Sequence, residues 1–375
     1  MLIIGGHSVL FHDRYPSWVD QPNTPVTYPL QYLELAREKD LDVAALLAAA
    51  GLQPDQLADP TRRITLRAFL TLIDALLSAS TDPGIGFETG LRLPLTAHGN
   101  LGYALLCAAT PLDAVTILQR FWHLRGRGIS FDFRETADAY VFEFHGELPM
   151  SGASGRTLIE GMMISFCMGV QFLLGTSRFP GEVCFEFPEP AHYARFRERF
   201  PHVRYGQGAN LIRLPGKQQF QRRLPTGNPE ALRQAIALCE REYALWGEDG
   251  ADHALVDHAR AEMTLQPTGY PDPGMLATRL KLSLRTLRRK LQQLGSGYKI
   301  LLEQARHRDA LELLGNPALE IQQVAELLGY DVPANFTRAF KQWTGETPSQ
   351  YRQRALAVDR TQKSVSPLPP ESPSA

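Results

Sequence analysis

The sequence predicts an α+β N-terminal domain, an antiparallel sheet with helices, followed by an all-α domain. Three observations carry this reading. Up to Leu214 the apolar spacing switches between helical periods and strict alternation. After Asn228 the alternation disappears, and helical runs are punctuated by glycine and proline. Finally, one helical pattern occurs twice in that second half, with Ala277 and Ala325 48 residues apart.

A chain of 375 residues exceeds one ordinary core of about 100 to 200 residues, so two domains plus tails are expected. Hydrophobic residues make up 44% and charged residues 21%, the mixture of a globular protein rather than a disordered or fibrous one. By count, no stretch reaches the roughly 18 uncharged apolar residues of a membrane span. Met1 to Phe11 is apolar but lacks the charged start and cleavage site of a secretory signal, so a cytoplasmic location without a membrane partner is expected. Cys107, Cys167, Cys184 and Cys239 never form a C-x-x-C pair and are expected to be buried free thiols, with no metal and no cofactor implied. The net charge of −1 hides an asymmetry. Asp272 to Arg354 holds 13 Lys and Arg against 8 Asp and Glu, leaving 26 against 32 elsewhere, so one end of the chain suits a polyanion.

Taken in order, Leu30, Leu33, Leu35 and Ala36 open the helical pattern, and Val43, Leu46 and Leu47 continue it to a stop at Gly51. A longer helix is expected over Ile64 to Leu77, with Leu66, Phe69, Leu70, Ile73, Leu76 and Leu77 on the core face. Thr110-Pro111 starts another, carrying Leu112, Val115, Ile117, Leu118 and Phe121. From Ile129 the period becomes two: Ile129, Phe131 and Phe133, then Tyr140, Phe142 and Phe144, predict an antiparallel hairpin. An apolar helix over Leu158 to Leu174, a strand over Val183 to Phe187, a helix over Ala191 to Phe200, and strands at Val203 to Tyr205 and Leu211 to Leu214 complete the first half. Asn228-Pro229 opens a connector helix bearing Leu232, Ile236, Leu238, Cys239 and Tyr243.

In MLATRLKLSLRTLRRKLQQL, Leu276, Ala277 and Leu280 form one helical face before a break at Lys281, Leu282 and Ser283. Ser283 is suited to cap a second helix, in which Leu284, Leu287, Leu291 and Leu294 pack while Arg285, Arg288, Arg289 and Gln292 project. Basic and amide side chains suit phosphates and guanine edges, although a merely solvated basic face gives the same pattern. The grammar recurs over Ile321 to Phe340, with Val324, Ala325 and Leu328 before Gly329 and with Phe336 and Phe340 after it. A duplicated pair is hard to explain as chance solvation. Between the two lies a helix over Tyr298 to Leu314, stopped by Gly315-Asn316-Pro317.

Leu319 to Arg352, LEIQQVAELLGYDVPANFTRAFKQWTGETPSQYR, resembles the signature of the AraC/XylS family through Gly329-Tyr330, Phe336, Arg338, Phe340, Lys341, Gly345, Pro348, Tyr351 and Arg352. The N-terminal half resembles the sensor domain labelled arabinose-binding type in that family. Gly51-Leu52, Pro83 to Gly90, His98 to Ala104 and Thr110 to Ala114 carry the resemblance, which spans Tyr28 to Leu214. It implies a transcriptional regulator with two helix-turn-helix units that binds double-stranded promoter DNA and responds to a small-molecule effector, the label not establishing a sugar. A homodimer is expected, with RNA polymerase a further candidate partner. The implied DNA-contacting set is Arg285, Thr286, Arg288, Arg289 and Gln292 in the first unit and Asn335, Thr337, Arg338 and Lys341 in the second. Two departures matter. Lys281 stands where the second unit has Gly329, which predicts a differently built first turn. Pro333 and Ala334 offer little to bases; the resemblance implies that the second unit clamps phosphate, a role that Arg338 and Lys341 fit, and the first unit is then the expected base reader.

The expected division is a segment 1–27, a ligand-sensing and dimerisation domain 28–225, a connector helix 226–250, a double helix-turn-helix domain 251–354 and a disordered tail 355–375 rich in Ser and Pro. Catalysis is not expected. His98, His123, His145 and His192 lie on separate elements without a metal-ligand motif, and Ser154 is not in a nucleophile elbow. Phe131, Phe133, Phe142, Phe144, Phe166, Phe172 and Trp122 read as a core that could in part line a ligand pocket. Two rivals remain open: a ligand-independent DNA-binding protein whose first half only oligomerises, and an enzyme fused to a DNA-binding module. A cavity with a few convergent polar groups favours the sensor; a solid core favours the scaffold.

Overall fold

The computed structural model describes residues 16–245, 255–256, 259–260 and 262–353, apart from 137, 149, 151, 201 and 295. The expected tail from 355 onward lies outside these residues. The chain forms two compact units that divide between Ala254 and Leu255.

In the first unit β1 (Pro22–Pro25) pairs antiparallel with β2 (Arg63–Thr65), and helices α1 (Thr27–Glu38), α2 (Val43–Ala49) and α3 (Pro54–Ala58) lie between them in sequence. The helix expected from Ile64 begins instead at Leu66, as α4 (Leu66–Ala79). Ile64 is paired to Thr24 in the ribbon, and the Thr65 side chain caps the helix by accepting the Ala68 N–H at 3.0 Å. Then follow α5 (Ile85–Arg92), α6 (Gly99–Leu106) and α7 (Pro111–Phe121), the last capped by Thr110, which accepts the Asp113 N–H at 3.1 Å.

The expected hairpin forms as β3 (Ile129–Glu135) and β4 (Ala139–Gly146), with Phe131 opposite Phe144 and Phe133 opposite Phe142. With β5 (Glu182–Cys184), β6 (Val203–Arg204) and β7 (Asn210–Pro215) they make one sheet in the order β3-β4-β7-β5-β6. It is antiparallel except at β5–β6, which run parallel. The long connection between those two strands returns the chain to the end where β5 began, as a parallel pair requires. That connection holds a short turn of 3-10 helix, Ala191–Arg195, rather than the expected helix to Phe200. Long-range partners pin it: His192 to Glu160 at 3.0 Å and Arg195 to Asp82 at 3.0 Å. Regular strand pairing in β5 likewise stops at Cys184, short of the expected Phe187.

Helix α8 (Ala153–Leu174) is the spine of the unit. By length and composition it would suffice to cross a membrane, which a count of apolar residues did not suggest, and more than half of its apolar window is buried within the unit. Its apolarity follows from packing on several sides. Against α5 the approach is close: a Cβ at Gly86 would lie 2.4 Å from the Thr157 carbonyl oxygen, and one at Gly90 2.5 Å from that of Gly161. Only glycine fits at these two positions. On the sheet side Phe166 meets Phe142 and Phe144 at ring distances of 4.8 and 5.4 Å. Phe172, expected in the core, is 62% exposed. Cys167, Cys184 and Cys239 are buried free thiols, and Cys107 is partly exposed. Helix α9 (Pro229–Leu245) packs on the same unit through Leu232, Ile236, Cys239 and Tyr243.

The second unit contains α10 (Pro273–Arg279), α11 (Leu284–Gln293), α12 (Tyr298–Gly315), α13 (Ile321–Leu327) and α14 (Pro333–Thr344). Leu276, Ala277, Leu287 and Leu291 pack with Leu301 and Ala305 of α12. Around the second helix pair the core is aromatic, with Phe336 and Phe340 5.7 Å apart and Tyr351 5.5 Å from Phe340.

Candidate nucleic-acid interface and effector pocket

Each helix pair ends its first helix in the same way. After α10, Leu282 N–H donates to Ala277 O at 2.9 Å and Lys281 N–H to Thr278 O at 3.0 Å; after α13, Tyr330 N–H donates to Ala325 O and Gly329 N–H to Glu326 O, both at 3.0 Å. These are the two bonds of a Schellman ending, which needs a left-handed residue at its next-to-last position. Gly329 supplies it with φ 73°, and Lys281 with φ 56°. The expectation that Lys281 forces a different turn is therefore overturned: the carbonyls of α10 demand the closure, and the lysine backbone bears the strain.

Beyond the turn the repeat lengthens by one residue. Ser283, Leu287 and Leu291 correspond to Val332, Phe336 and Phe340, a spacing of 49. Ser283 caps α11, its Oγ accepting the Thr286 N–H at 3.1 Å. Val332 has no capping side chain, and α14 begins instead with Pro333, whose fixed φ suits the first helical position.

Arg285, Arg288, Arg289 and Gln292 stand exposed on α11, and Thr286 is partly buried with its hydroxyl 2.8 Å from Ser283 Oγ. Asn335, Arg338 and Lys341 are exposed on α14, while Thr337 is partly buried and donates to Pro333 O at 3.2 Å. Among the described residues none of Arg285, Arg288, Arg338 or Lys341 has a carboxylate partner. Arg289 donates to Gln293 at 3.3 Å. The two helices thus present unneutralised cations on the face opposite their cores.

Three features escaped the sequence reading. Leu284, expected to pack, is 38% exposed, because burial on α11 begins one turn later at Leu287. Val332, one place before the residue that matches Leu284, is 50% exposed, so both helices start with an apolar group open to solvent. Arg306 of α12 donates to Leu328 O at 2.9 Å and Gly329 O at 2.8 Å, clamping the second turn. No local signal marks it, since its partners lie 22 and 23 residues away.

In the first unit two apolar cavities flank Arg125. One of about 80 Å³ is walled by Tyr28, Tyr32, Phe69, Trp122, Leu158 and Met162 among others. The second, of about 60 Å³, is walled by His98, Leu118, Phe142, Phe166 and Leu173 among others, and Arg125 contributes to both. Of the expected aromatic set, Trp122, Phe142 and Phe166 therefore face cavities. Arg125 Nε donates to Tyr28 Oη at 3.3 Å, and Tyr28 Oη lies 3.0 Å from His98 Nδ1. Burial, and then the Arg125 charge, hold His98 well below the usual histidine range, so it is neutral. Burial, and then the Glu160 carboxylate, raise the Tyr32 phenol above its usual range. Nearby, Arg63 donates to Asn23 O at 2.7 Å and Leu124 O at 2.8 Å, next to the cavity residues Thr24 and Arg125. It also pairs with Glu242 of α9 at 3.0 Å, and the other Glu242 oxygen accepts from Asn100 at 3.0 Å.

A family model described as the arabinose-binding domain of AraC transcription regulator, N-terminal, matches residues 41–218, and a helix-turn-helix domain model matches residues 276–354. The chain is 30% identical over 332 residues to the ornithine utilization regulator of Pseudomonas aeruginosa, spanning 88% of this chain and 96% of that protein. It is 25% identical over 329 residues to the transcriptional regulator VirS of Mycobacterium tuberculosis, spanning 86% and 94%. Among solved structures, the transcriptional regulator CdpR from Pseudomonas aeruginosa aligns with 87% of this chain and 98% of its own at 23% identity, with a TM-score of 0.39.

Proposed function

Since the chain belongs to the AraC family of helix-turn-helix transcriptional regulators, we propose that a small-molecule effector held in its N-terminal unit sets how its C-terminal unit engages promoter DNA. The observation that carries the effector reading is the pair of apolar cavities meeting at Arg125, Tyr28 and His98, a mostly apolar space with a few convergent polar groups. An oligomerisation scaffold needs no such space.

On the DNA side, Arg285, Arg288 and Arg289 read bases, supported by Thr286 and Gln292, while Arg338 and Lys341, with Asn335 and Thr337, hold phosphates. The two reading helices enter successive major grooves, roughly 34 Å apart, so one monomer covers an asymmetric site. A homodimer formed through the N-terminal half and contact with RNA polymerase complete the reading. Exposed Leu238 and Leu245 on α9 support the first of these. Effector signal passes through Arg63, which ties the cavity rim to Glu242 on α9, the helix that leads in sequence toward the second unit. A relative named for ornithine utilization raises an amino acid as one effector class to screen.

The experiment is selection of bound fragments from random and genomic DNA by the full chain, followed by a metabolite screen for thermal shift and for altered affinity at the selected site. A ligand at 100 times its dissociation constant should stabilise the protein by about 2.7 kcal/mol. If a broad set moves neither melting nor DNA affinity, the scaffold reading replaces this one.

A further inference from the structure

We infer that the effector is a monocarboxylate with a compact, uncharged apolar body, its carboxylate held by Arg125 and its body in the flanking cavities. The inference rests on the effector reading above and specifies its chemistry. Arg125 is partly buried, its guanidinium 4.5 Å above the Trp122 ring and 5.7 Å from that of Tyr28. Its only hydrogen bond among the described residues is the one from Nε to Tyr28, which leaves both terminal nitrogens without an acceptor. The neighbouring Arg127 is different: it pairs with Glu147 at 3.6 Å and stacks 3.9 Å over Trp18. A partly desolvated cation with no counter-ion is costly to keep, and an anion arriving beside it relieves that cost.

Arg125 heads a short hydrogen-bond chain. Its Nε can only donate, so Tyr28 Oη accepts from it, and Tyr28 Oη in turn lies 3.0 Å from His98 Nδ1. The two Arg125 amino groups, donors only, are the charged free end of this chain. A carboxylate is what the site lacks. No carboxylate occurs among the described residues that wall either cavity, so nothing there would pair with an ammonium. A diamino acid would bring an unpaired cation into apolar surroundings next to Arg125. The volumes of about 80 and 60 Å³ fix the scale. An apolar cavity of about 150 Å³ accepts benzene, close to what the two offer together, so the body is a short chain or a single ring that draws on both.

The test uses the full-length protein with four probes, hexanoate, hexanamide, benzoate and benzamide, and lysine as a fifth, read by calorimetric titration and by melting temperature. The carboxylates should bind at least tenfold more tightly than the matching amides, because a hydrogen bond to a charged acceptor is the stronger one. Arg125→Gln should erase that preference, and Arg125→Lys should retain part of it. If Arg125→Gln fails to fold, as its melting without ligand would reveal, the carboxylate-to-amide ratio in the natural protein and in Arg125→Lys decides. Amides binding as tightly as carboxylates, an unchanged preference in Arg125→Gln, or tighter binding of lysine would each overturn the assignment while leaving an effector site in place. If no probe binds and a broad metabolite screen also shifts neither melting nor DNA affinity, the effector reading itself falls, and this inference with it.

Discussion

In the first helix-turn-helix unit Lys281 closes the turn, Ser283 caps α11 and the core is leucine; in the second, Gly329 closes the turn, Val332 caps nothing and the core is Phe336 and Phe340. The backbone hydrogen bonds of the two turns are nonetheless the same. The comparison teaches that the closure is imposed by the unpaired carbonyls of the first helix, and that residue type only decides its energy. A left-handed lysine costs about 1 to 2 kcal/mol, and a serine cap contributes about 1 kcal/mol. The first unit therefore offsets a strained turn with a good cap, whereas the second has an unstrained turn, a proline start and a clamp from Arg306.

The largest expected difference lies in the cores. Phe340→Ala should destabilise the second unit by about 3 to 5 kcal/mol in a denaturant titration, and Leu291→Ala the first by about 2 to 5 kcal/mol, with the phenylalanine change the larger of the two. Equal losses would show that the aromatic core adds nothing beyond volume. Next comes the division of labour on DNA. Arg288→Ala or Arg289→Ala should lower discrimination against the wrong base by about 1 to 3 kcal/mol. Arg338→Ala should weaken binding to matched and scrambled sites alike and reduce the salt dependence by about one unit of slope. Titration of the three variants against both kinds of site at several salt concentrations checks this. Uniform losses for the α11 arginines would remove their base-reading role and leave DNA binding in place.

The turns are expected to respond in opposite directions. Gly329→Ala should cost about 1 to 2 kcal/mol, since a side chain there is left-handed and its Cβ would sit 3.2 Å from Arg306 Nη2. Lys281→Gly should stabilise the protein, by about 1 kcal/mol at most because glycine also loses more entropy on folding. Melting curves of both variants suffice, and a destabilised Lys281→Gly would mean that the lysine side chain supplies something the turn geometry does not reveal. The smallest effects belong to the caps. Ser283→Ala should cost about 1 kcal/mol, and Val332→Ser should gain a few tenths to about 1 kcal/mol by supplying the missing acceptor. Were Val332→Ser neutral, Pro333 would already provide what a cap provides.

Much of this was legible in the residues themselves. The paired helices, the Ser283 and Thr110 caps, the β3–β4 hairpin and the buried leucine and phenylalanine faces follow from spacings of two to four residues. Where the reading slipped, a distant partner had intervened: Ile64 joined β1, and the run from Ala191 stayed a turn because Glu160 and Asp82 hold its His192 and Arg195. Among the proposed DNA-contacting residues, chemistry and spacing placed the arginines on an open face, but the exposure of Leu284 and Val332 did not follow from periodicity.

The sequence by itself determined the two helix-turn-helix units and their family, because capping, amphipathic spacing and a motif over thirty-odd residues are local properties written in adjacent positions. Only the tertiary structure decided the parallel β5–β6 pairing, the Arg306 clamp and the meeting of Tyr28, His98 and Arg125 between two cavities. Each of these depends on which groups are left without a partner once distant segments pack. A hydrogen-bond deficit of that kind exists only in the folded chain.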